Sequence, residues 1–403
     1  MPVRLYENHR FVLYAPFYAA HAIGAYSSEG LTVELSRSPG MGLAEQALIE
    51  GAVDVIWAGP MRVMKHHDEN PGSPLVCFAE IVCRDPFSII GRYPKPDFQL
   101  GDLALATFAT VSEVPTPWLC LQHDLRQAGV HVEGLRRVPN RNMPENLNAL
   151  REGKLDAAQL FEPFVEEAPA SQTGHLWYAA SSSGRTAYTD FITTRERLRT
   201  DREPLLRMVR GIFRAQHWIY TQSPQAIAAA ITAFFPTLDR DVLTRALARY
   251  KSQLVWGSDP ALSKEGFDHL RDCLLSSGVH SPAGFLRGMR RQYFLPPGAR
   301  QLSSLLINPS RAGPRAIHRN RAELCALVSL ASSRRAQPDG AVFPLPHSRS
   351  SQRRFVATST CVRSLRRSGN WHVKQAFQKP AKSCSILPIV STGWLLRAGR
   401  ADG

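Results

Sequence analysis

Ala44-Glu45-Gln46-Ala47-Leu48-Ile49-Glu50-Gly51-Ala52-Val53-Asp54 and Asn146-Leu147-Asn148-Ala149-Leu150-Arg151-Glu152-Gly153-Lys154-Leu155-Asp156 decide the fold. Each is a helix-length run stopped by a glycine, with an aspartate in the tight turn before an apolar stretch. Glycine takes the left-handed conformation that ends a helix at no steric cost. Aspartate solvates the turn that follows. The strands that emerge are Val53–Ala58 and Leu155–Phe161. Two such units in matching places predict two similar lobes, each built from βαβ units around a mostly parallel sheet. Solenoid repeats need at least three units at one period, and no third unit is present.

Outward from these stretches the same alternation continues. Phe11–Tyr14 reads as a strand, followed by a helix from Pro16 with Phe17, Ala20 and Ile23 on one face and Gly30 at its end. Leu31–Leu35 is a strand, Ser38–Gly42 a turn, Leu43–Glu50 a helix, and Gly59-Pro60 opens another helix reaching about His66. In the second half Leu103–Thr107 and Glu133–Val138 read as strands. One helix runs from the Val114–Pro117 turn to about Gln127, another over Met143–Glu152. Ala187–Thr194 reads as a strand returning to the first lobe. Four helices close the domain: Glu203–Tyr220, Pro224–Phe235, Asp239–Gln253 and Ser263–Ser277. Asp201 and Ser223 are the expected N-caps of the first two. The predicted fold class is α/β, with lobe I over residues 1–84 and 186–300 and lobe II over 85–185.

The net charge of +15 suggests nucleic acid until it is placed on the chain. Residues 301–403 hold 17 of the 49 Lys and Arg but 3 of the 34 Asp and Glu, which leaves 32 and 31 for residues 1–300. A neutral core with a basic end lacks the clustered basic face that phosphate neutralisation needs, so no nucleic-acid partner is expected. The basic segment is rich in Arg, Ser, Ala and Pro without periodicity, and reads as a largely disordered tail or an out-of-frame extension. No run is long and apolar enough to span a membrane. Arg4, Arg10 and the apolar Phe11–Ala20 loosely imitate a signal peptide, but Glu7 and Pro16 interrupt that pattern and a strand leading into a helix fits it as well. Location is left open: periplasmic for an importer component whose signal is missing, otherwise cytoplasmic.

Cys77, Cys83, Cys120 and Cys273 lie in apolar contexts, and Cys325, Cys361 and Cys384 in the tail. With no CxxC pair they read as small buried thiols of a reduced protein, so no metal is expected. His66 and His67 point about 100° apart on a helix and cannot converge on one ion. They read as a solvated helix end.

Tyr14-Ala15-Pro16-Phe17-Tyr18-Ala19-Ala20, Gly24-Ala25-Tyr26, Glu29-Gly30-Leu31-Thr32-Val33-Glu34, Gly51-Ala52-Val53-Asp54, Asp85-Pro86-Phe87 and Glu152–Ala157 form an ordered set. The set resembles the substrate-binding proteins of nitrate, sulfonate, taurine and thiamine-pyrimidine ABC importers, a family that includes enzymes making the thiamine pyrimidine. The resemblance covers about residues 3–290. It implies a type II periplasmic-binding-protein fold, two lobes closing on a small ligand by a hinge, and an ABC permease as partner. Ligands of open α/β sheets sit beyond the C-terminal strand ends. The candidate ligand residues there are Tyr14, Pro16, Phe17, Gly40, Met41, Gly42, Trp57, Gly59, Phe108, Thr116 and Glu162. Tyr14, Trp57, Phe108 and Phe161 would stack on a flat ring. Helix starts at Gly42, Pro60 and Thr116 would offer N–H groups, and Glu162 would accept from an aminopyrimidine. Core packing accounts for the aromatic residues equally well, and a helix-dipole role for Glu162.

The pyrimidine-making relatives carry a lysine for pyridoxal phosphate just after the first Gly-x-x-Asp strand, then a histidine, and later a cysteine-rich run. Here Ala58 and Arg62 occupy the first two places, and Ser181–Tyr188 holds no cysteine. A Schiff base needs a primary amine, so neither catalytic residues nor a cofactor are expected. The expected function is solute binding, for a thiamine-pyrimidine precursor or a sulfonate- or nitrate-like anion. The alternatives are a pyrimidine-synthesis enzyme or degenerate relative, and a cytosolic ligand sensor.

Overall fold

The computed structural model describes residues 2–278 apart from Met41 and residues 171–173. The expected tail and the candidate ligand residue Met41 lie outside the described residues. The chain starts with β1 (Val3–Glu7), α1 (Ala15–Ala22), β2 (Val33–Arg37), α2 (Leu43–Ile49), β3 (Val55–Ala58), α3 (Pro60–Glu69) and β4 (Leu75–Val82). It crosses to a second sheet with β5 (Ser88–Gly91), β6 (Thr107–Val111), α4 (Thr116–Gln127), β7 (Arg136–Arg141), α5 (Met143–Arg151), β8 (Ala157–Leu160), α6 (Phe164–Ala170) and β9 (His175–Ala179). β10 (Thr189–Thr194) returns to the first sheet. The helices α7 (Arg195–Thr200), α8 (Arg202–Thr221), α9 (Pro224–Ile231), α10 (Arg240–Ser252) and α11 (Lys264–Ser276) follow.

The two sheets have equivalent orders, β2-β1-β3-β10-β4 and β7-β6-β8-β5-β9. In each, three parallel strands are followed by an antiparallel fourth that has just arrived from the other sheet. Two crossings of the chain therefore join the lobes. The Gly-x-x-Asp turns do in both lobes what their spacing predicts: Gly51 and Gly153 end α2 and α5 at φ +75° and +74°. Their aspartates do more than face water. Asp54 Oδ2 accepts the backbone N–H of Arg4 on β1 at 2.8 Å, and Asp156 Oδ2 accepts that of Thr107 on β6 at 2.8 Å. Each aspartate thus fixes the register of the neighbouring parallel strand.

Several local expectations are corrected. The first strand is Val3–Glu7, whose burial alternates strictly, whereas Phe11–Tyr14 forms an extended residue and a 3-10 turn into α1. Apolar content suggested a strand there, but the run is buried as the entrance to a helix. Leu103–Thr107 gives way to a 3-10 turn at Leu100–Ala104 and a strand that starts at Thr107. No strand is predicted at Leu75–Val82, where eight consecutive residues are buried and no alternation marks the run. Ser223 caps α9 through Ala226 N–H as expected. Asp201 makes no cap and accepts from Arg197 Nη1 at 2.7 Å instead. His67 is buried, with Nε2 on the Leu75 carbonyl at 2.9 Å, so His66-His67 is not a solvated end.

One apolar cluster runs from α1, α8, α9 and α10 through Trp57 and Phe191 into Met143, Leu147, Leu160, Phe161 and Val165 of the second sheet. The lobes are in contact, and the helices after β10 pack on both.

Candidate functional site

The C-terminal ends of β1, β3 and β6 meet between the lobes. Asn8 and His9 leave β1, and Gly59, Pro60, Met61 and Arg62 leave β3 and start α3. Glu113 and Thr116 leave β6 and start α4. Thr116 Oγ1 lies 3.5 Å from Met61 Sδ across the gap. His9 feels both Arg62 and Glu113, and burial is the first reason its imidazole is held below the ordinary value. Arg62 pairs with Glu45 of α2 at 3.2 Å.

The walls are aromatic. Tyr14 lies 5.8 Å from Trp57 and 6.4 Å from Phe11 between ring centroids, and Phe11 meets Phe161 of the second lobe edge-on at 4.8 Å. Burial of its hydroxyl pushes Tyr14 up to about 12, and that hydroxyl is hydrogen-bonded to Thr189. Phe17 stacks on Trp57 at 4.3 Å and is wholly buried, so it backs the wall from behind.

Five buried polar atoms in this region have no hydrogen-bond partner: Asn8 Oδ1, His9 Nε2, Trp57 Nε1, Glu113 Oε2 and the Tyr188 hydroxyl. Leaving a buried donor or acceptor unpaired costs about 1–3 kcal/mol, and a group of them is the signature of a ligand that supplies the partners. Glu113 is held in place by its other oxygen, which accepts the Met143 N–H at 2.8 Å.

The sequence-predicted residues divide. Tyr14, Trp57, Gly59 and Thr116 stand at the gap. Gly59 lets the chain pass close to the Tyr188 carbonyl, 3.4 Å from where a Cβ would be. Pro16 and Phe17 belong to the core behind it. Gly40 and Gly42 shape the loop into α2, a helix of seven residues. Phe108 is a correction: it is buried inside lobe II against Trp118. Glu162 has other partners: Arg249 Nε at 2.9 Å and the Glu166 N–H at 3.1 Å. Asn8, His9, Glu113 and Tyr188 carry no sequence signal, since each stands in a loop or at a strand edge that only tertiary folding brings to the gap.

Pyridoxal phosphate does not fit these residues. Ala58 offers no amine, Arg62 is paired, and Lys65 points along the outer face of α3 to Glu69 at 3.6 Å.

Two α/β lobes joined by two crossings, with unpartnered polar atoms and aromatic rings buried where they meet, define a small-molecule-binding protein of the type II periplasmic-binding-protein class. The chain belongs to the NMT1/THI5-like family, whose model matches residues 13–226. It is 24% identical over 278 residues to YtlA of Bacillus subtilis (strain 168), a provisionally named binding protein, covering 68% of this chain and 83% of that one. The periplasmic aliphatic sulphonate-binding protein SsuA of Escherichia coli superposes with a TM-score of 0.57 at 14% identity, over 72% of this chain and 98% of its own. The ligand-binding component of an ABC-type import system from Staphylococcus aureus, solved with zinc bound, gives 0.57 at 15%, over 75% and 99%. Among the described residues no helix is long and apolar enough to cross a membrane.

Proposed function

We propose that the protein is a solute-binding component that closes lobe II over lobe I on a small, flat, N–H-bearing heteroaromatic ligand of the aminopyrimidine kind, and presents it to an ABC permease. The observation that carries this reading is the bare, buried Oε2 of Glu113, whose charge acts on His9. A carboxylate oxygen accepts from N–H donors and repels an oxyanion. The helix starts argue the same way. Pro60 and Pro117 stand in the first turns of α3 and α4 and remove N–H groups that would otherwise cradle a sulfonate or nitrate. Arg62 is already matched by Glu45.

Thermal unfolding of the full chain against aminopyrimidines, thiamine, alkanesulfonates, nitrate, bicarbonate and pyridoxal phosphate tests this. A ligand at about a hundred times its Kd adds roughly 2.7 kcal/mol, a visible rise in Tm. Aminopyrimidines alone are expected to give it. A rise with alkanesulfonate or nitrate alone would overturn the ligand class, and a flat panel would overturn the aminopyrimidine reading outright.

A further inference from the structure

Beyond the Thr116 end of α4, this helix of the second lobe packs against α11. Cys120 and His123 lie three residues apart on α4, and His269 and Cys273 four apart on α11, so each pair shares one helix face. The donor atoms of His123, His269 and Cys273 all lie within 4.8 Å of one another. Cys273 Sγ is 3.7 Å from His269 Nε2, and Cys120 shares the same buried cluster as Cys273. Tetrahedral ligands bound to zinc at about 2.0–2.3 Å stand about 3.3–3.8 Å apart, so small rotations would close this set on an ion.

The surroundings are those of a metal site. His269 Nδ1 is hydrogen-bonded to Thr186 Oγ1 at 2.8 Å and His123 Nδ1 to Ser276 Oγ at 3.0 Å. Both rings are thereby oriented with Nε2 left for an ion, the arrangement seen around ligating histidines. A second, independent observation points the same way. Asp85 is buried beside Cys273 and His269, its Oδ2 has no partner, and burial pushes its carboxyl up to about 8. Asp124 is already engaged by Tyr178 and Ser183.

We propose that His123, His269 and Cys273, with Cys120 beside them as a fourth thiol within reach, form a site for a zinc-class transition ion that ties lobe II to the closing helix of lobe I, with the Asp85 carboxyl as a neighbour. Mixed thiolate and imidazole donors favour zinc, cobalt or copper over magnesium or calcium. α11 packs on Ala58, Met64, Leu75 and Ile192 of lobe I, while Leu119 and Cys120 come from lobe II. An ion held between them would therefore stabilise the arrangement in which the lobes are in contact. The site borders the gap, since Cys120 and Asp85 both act on Tyr188, but none of its donors is a gap residue and its test does not depend on which solute the gap takes.

The test uses the full chain, reduced and stripped with a chelator, and titrated with Co(II) alone. The expected result is a thiolate-to-cobalt charge-transfer band with tetrahedral visible bands, saturating at one ion per chain, displaced by Zn(II) and accompanied by a rise in Tm. The band should vanish in Cys273→Ser and weaken in His123→Ala, a variant at a half-exposed position. It should persist when Cys325, Cys361 and Cys384 are all replaced by alanine. Absence of the band in the folded reduced chain would overturn the proposal. So would its persistence in Cys273→Ser, its loss with the tail cysteines, or peptide mapping that finds Cys120 and Cys273 joined as a disulfide in the isolated protein.

Discussion

Glu113 illustrates how one side chain can hold structure and stay available. One oxygen caps the first turn of α5 through the Met143 N–H, and the other is bare. Glu113→Gln keeps an oxygen for the cap and removes the charge that would meet a ligand N–H. Charge-assisted hydrogen bonds contribute about 1.5–3 kcal/mol, so this variant should bind its aminopyrimidine about 10- to 100-fold more weakly with an unchanged Tm in the absence of ligand. Isothermal titration beside a thermal melt reads both, and an unchanged Kd would remove Glu113 from the site. His21 shows the opposite case, a titratable group with no role in the gap. Burial pushes its imidazole down to about 4, and its Nε2 has no partner. The unfolded chain takes up this proton near pH 6.5 and the folded chain only near pH 4. The unfolded state therefore binds more protons in that window, and stability falls as the pH drops through it. One pKa unit is worth about 1.36 kcal/mol, so the loss from this residue approaches about 2–3 kcal/mol near pH 4. His21→Gln should flatten that part of the curve, measured as the difference in denaturant unfolding between the variant and the parent at pH 7 and pH 4. Equal slopes would contradict the burial argument.

At the level of elements, the two Gly-x-x-Asp turns were readable because a helix stop followed at once by a strand leaves few sequences available. Their equivalence predicts a difference as well as a likeness. A Cβ on Gly51 would meet open space, so Gly51→Ala should cost only the left-handed strain, about 1–2 kcal/mol. A Cβ on Gly153 would lie 2.5 Å from the Arg92 guanidinium, which is also within reach of the Gly153 carbonyl. Gly153→Ala should therefore shift the urea midpoint further than Gly51→Ala, at an unchanged m-value. Equal shifts would mean that Arg92 swings aside freely. Of the candidate site, the sequence reaches only the places where local pattern and strand ends coincide, as at Tyr14, Trp57 and Thr116. Phe108 was misplaced because alternation says which residues lie on one face of a strand, not which face meets the gap. The Cys120/His123 and His269/Cys273 spacings are each visible on their own helix. What brings them together is the packing of α4 on α11, about 150 residues apart in the chain, as the Arg126–Ser276 contact marks, and no local period encodes that.

For the whole molecule the question is what holds two lobes in one arrangement, and Glu162 gives the answer that a ligand-contact reading of it misses. Its carboxylate is fully buried at the end of β8, and its backbone N–H donates to the Tyr250 hydroxyl at 2.9 Å. Arg249 reaches it from α10, and Arg245 and Arg249 also reach Glu166 at 3.2 and 2.5 Å. α10 packs against α9, which packs on α1, so these arginines carry lobe I's helical layer to two acids of lobe II. A buried pair of this kind adds little over an apolar pair, but removing one partner leaves a buried charge and costs about 3–5 kcal/mol. Burial already pushes Glu162 up to about 8 with Arg249 opposing that rise, so taking Arg249 away pushes it higher, leaves a buried, unpaired carboxyl there and removes one of the two arginines at Glu166. Arg249→Ala should therefore lower stability by an amount near the bottom of that range and loosen the contact between the lobes. Small-angle scattering of the unliganded chain should give a larger radius of gyration for the variant, while Glu113→Gln leaves it unchanged. A variant as compact and as stable as the parent would show that the apolar contact of Phe11 with Phe161 holds the lobes without this pair. Weaker binding at unchanged stability would return Glu162 to the ligand.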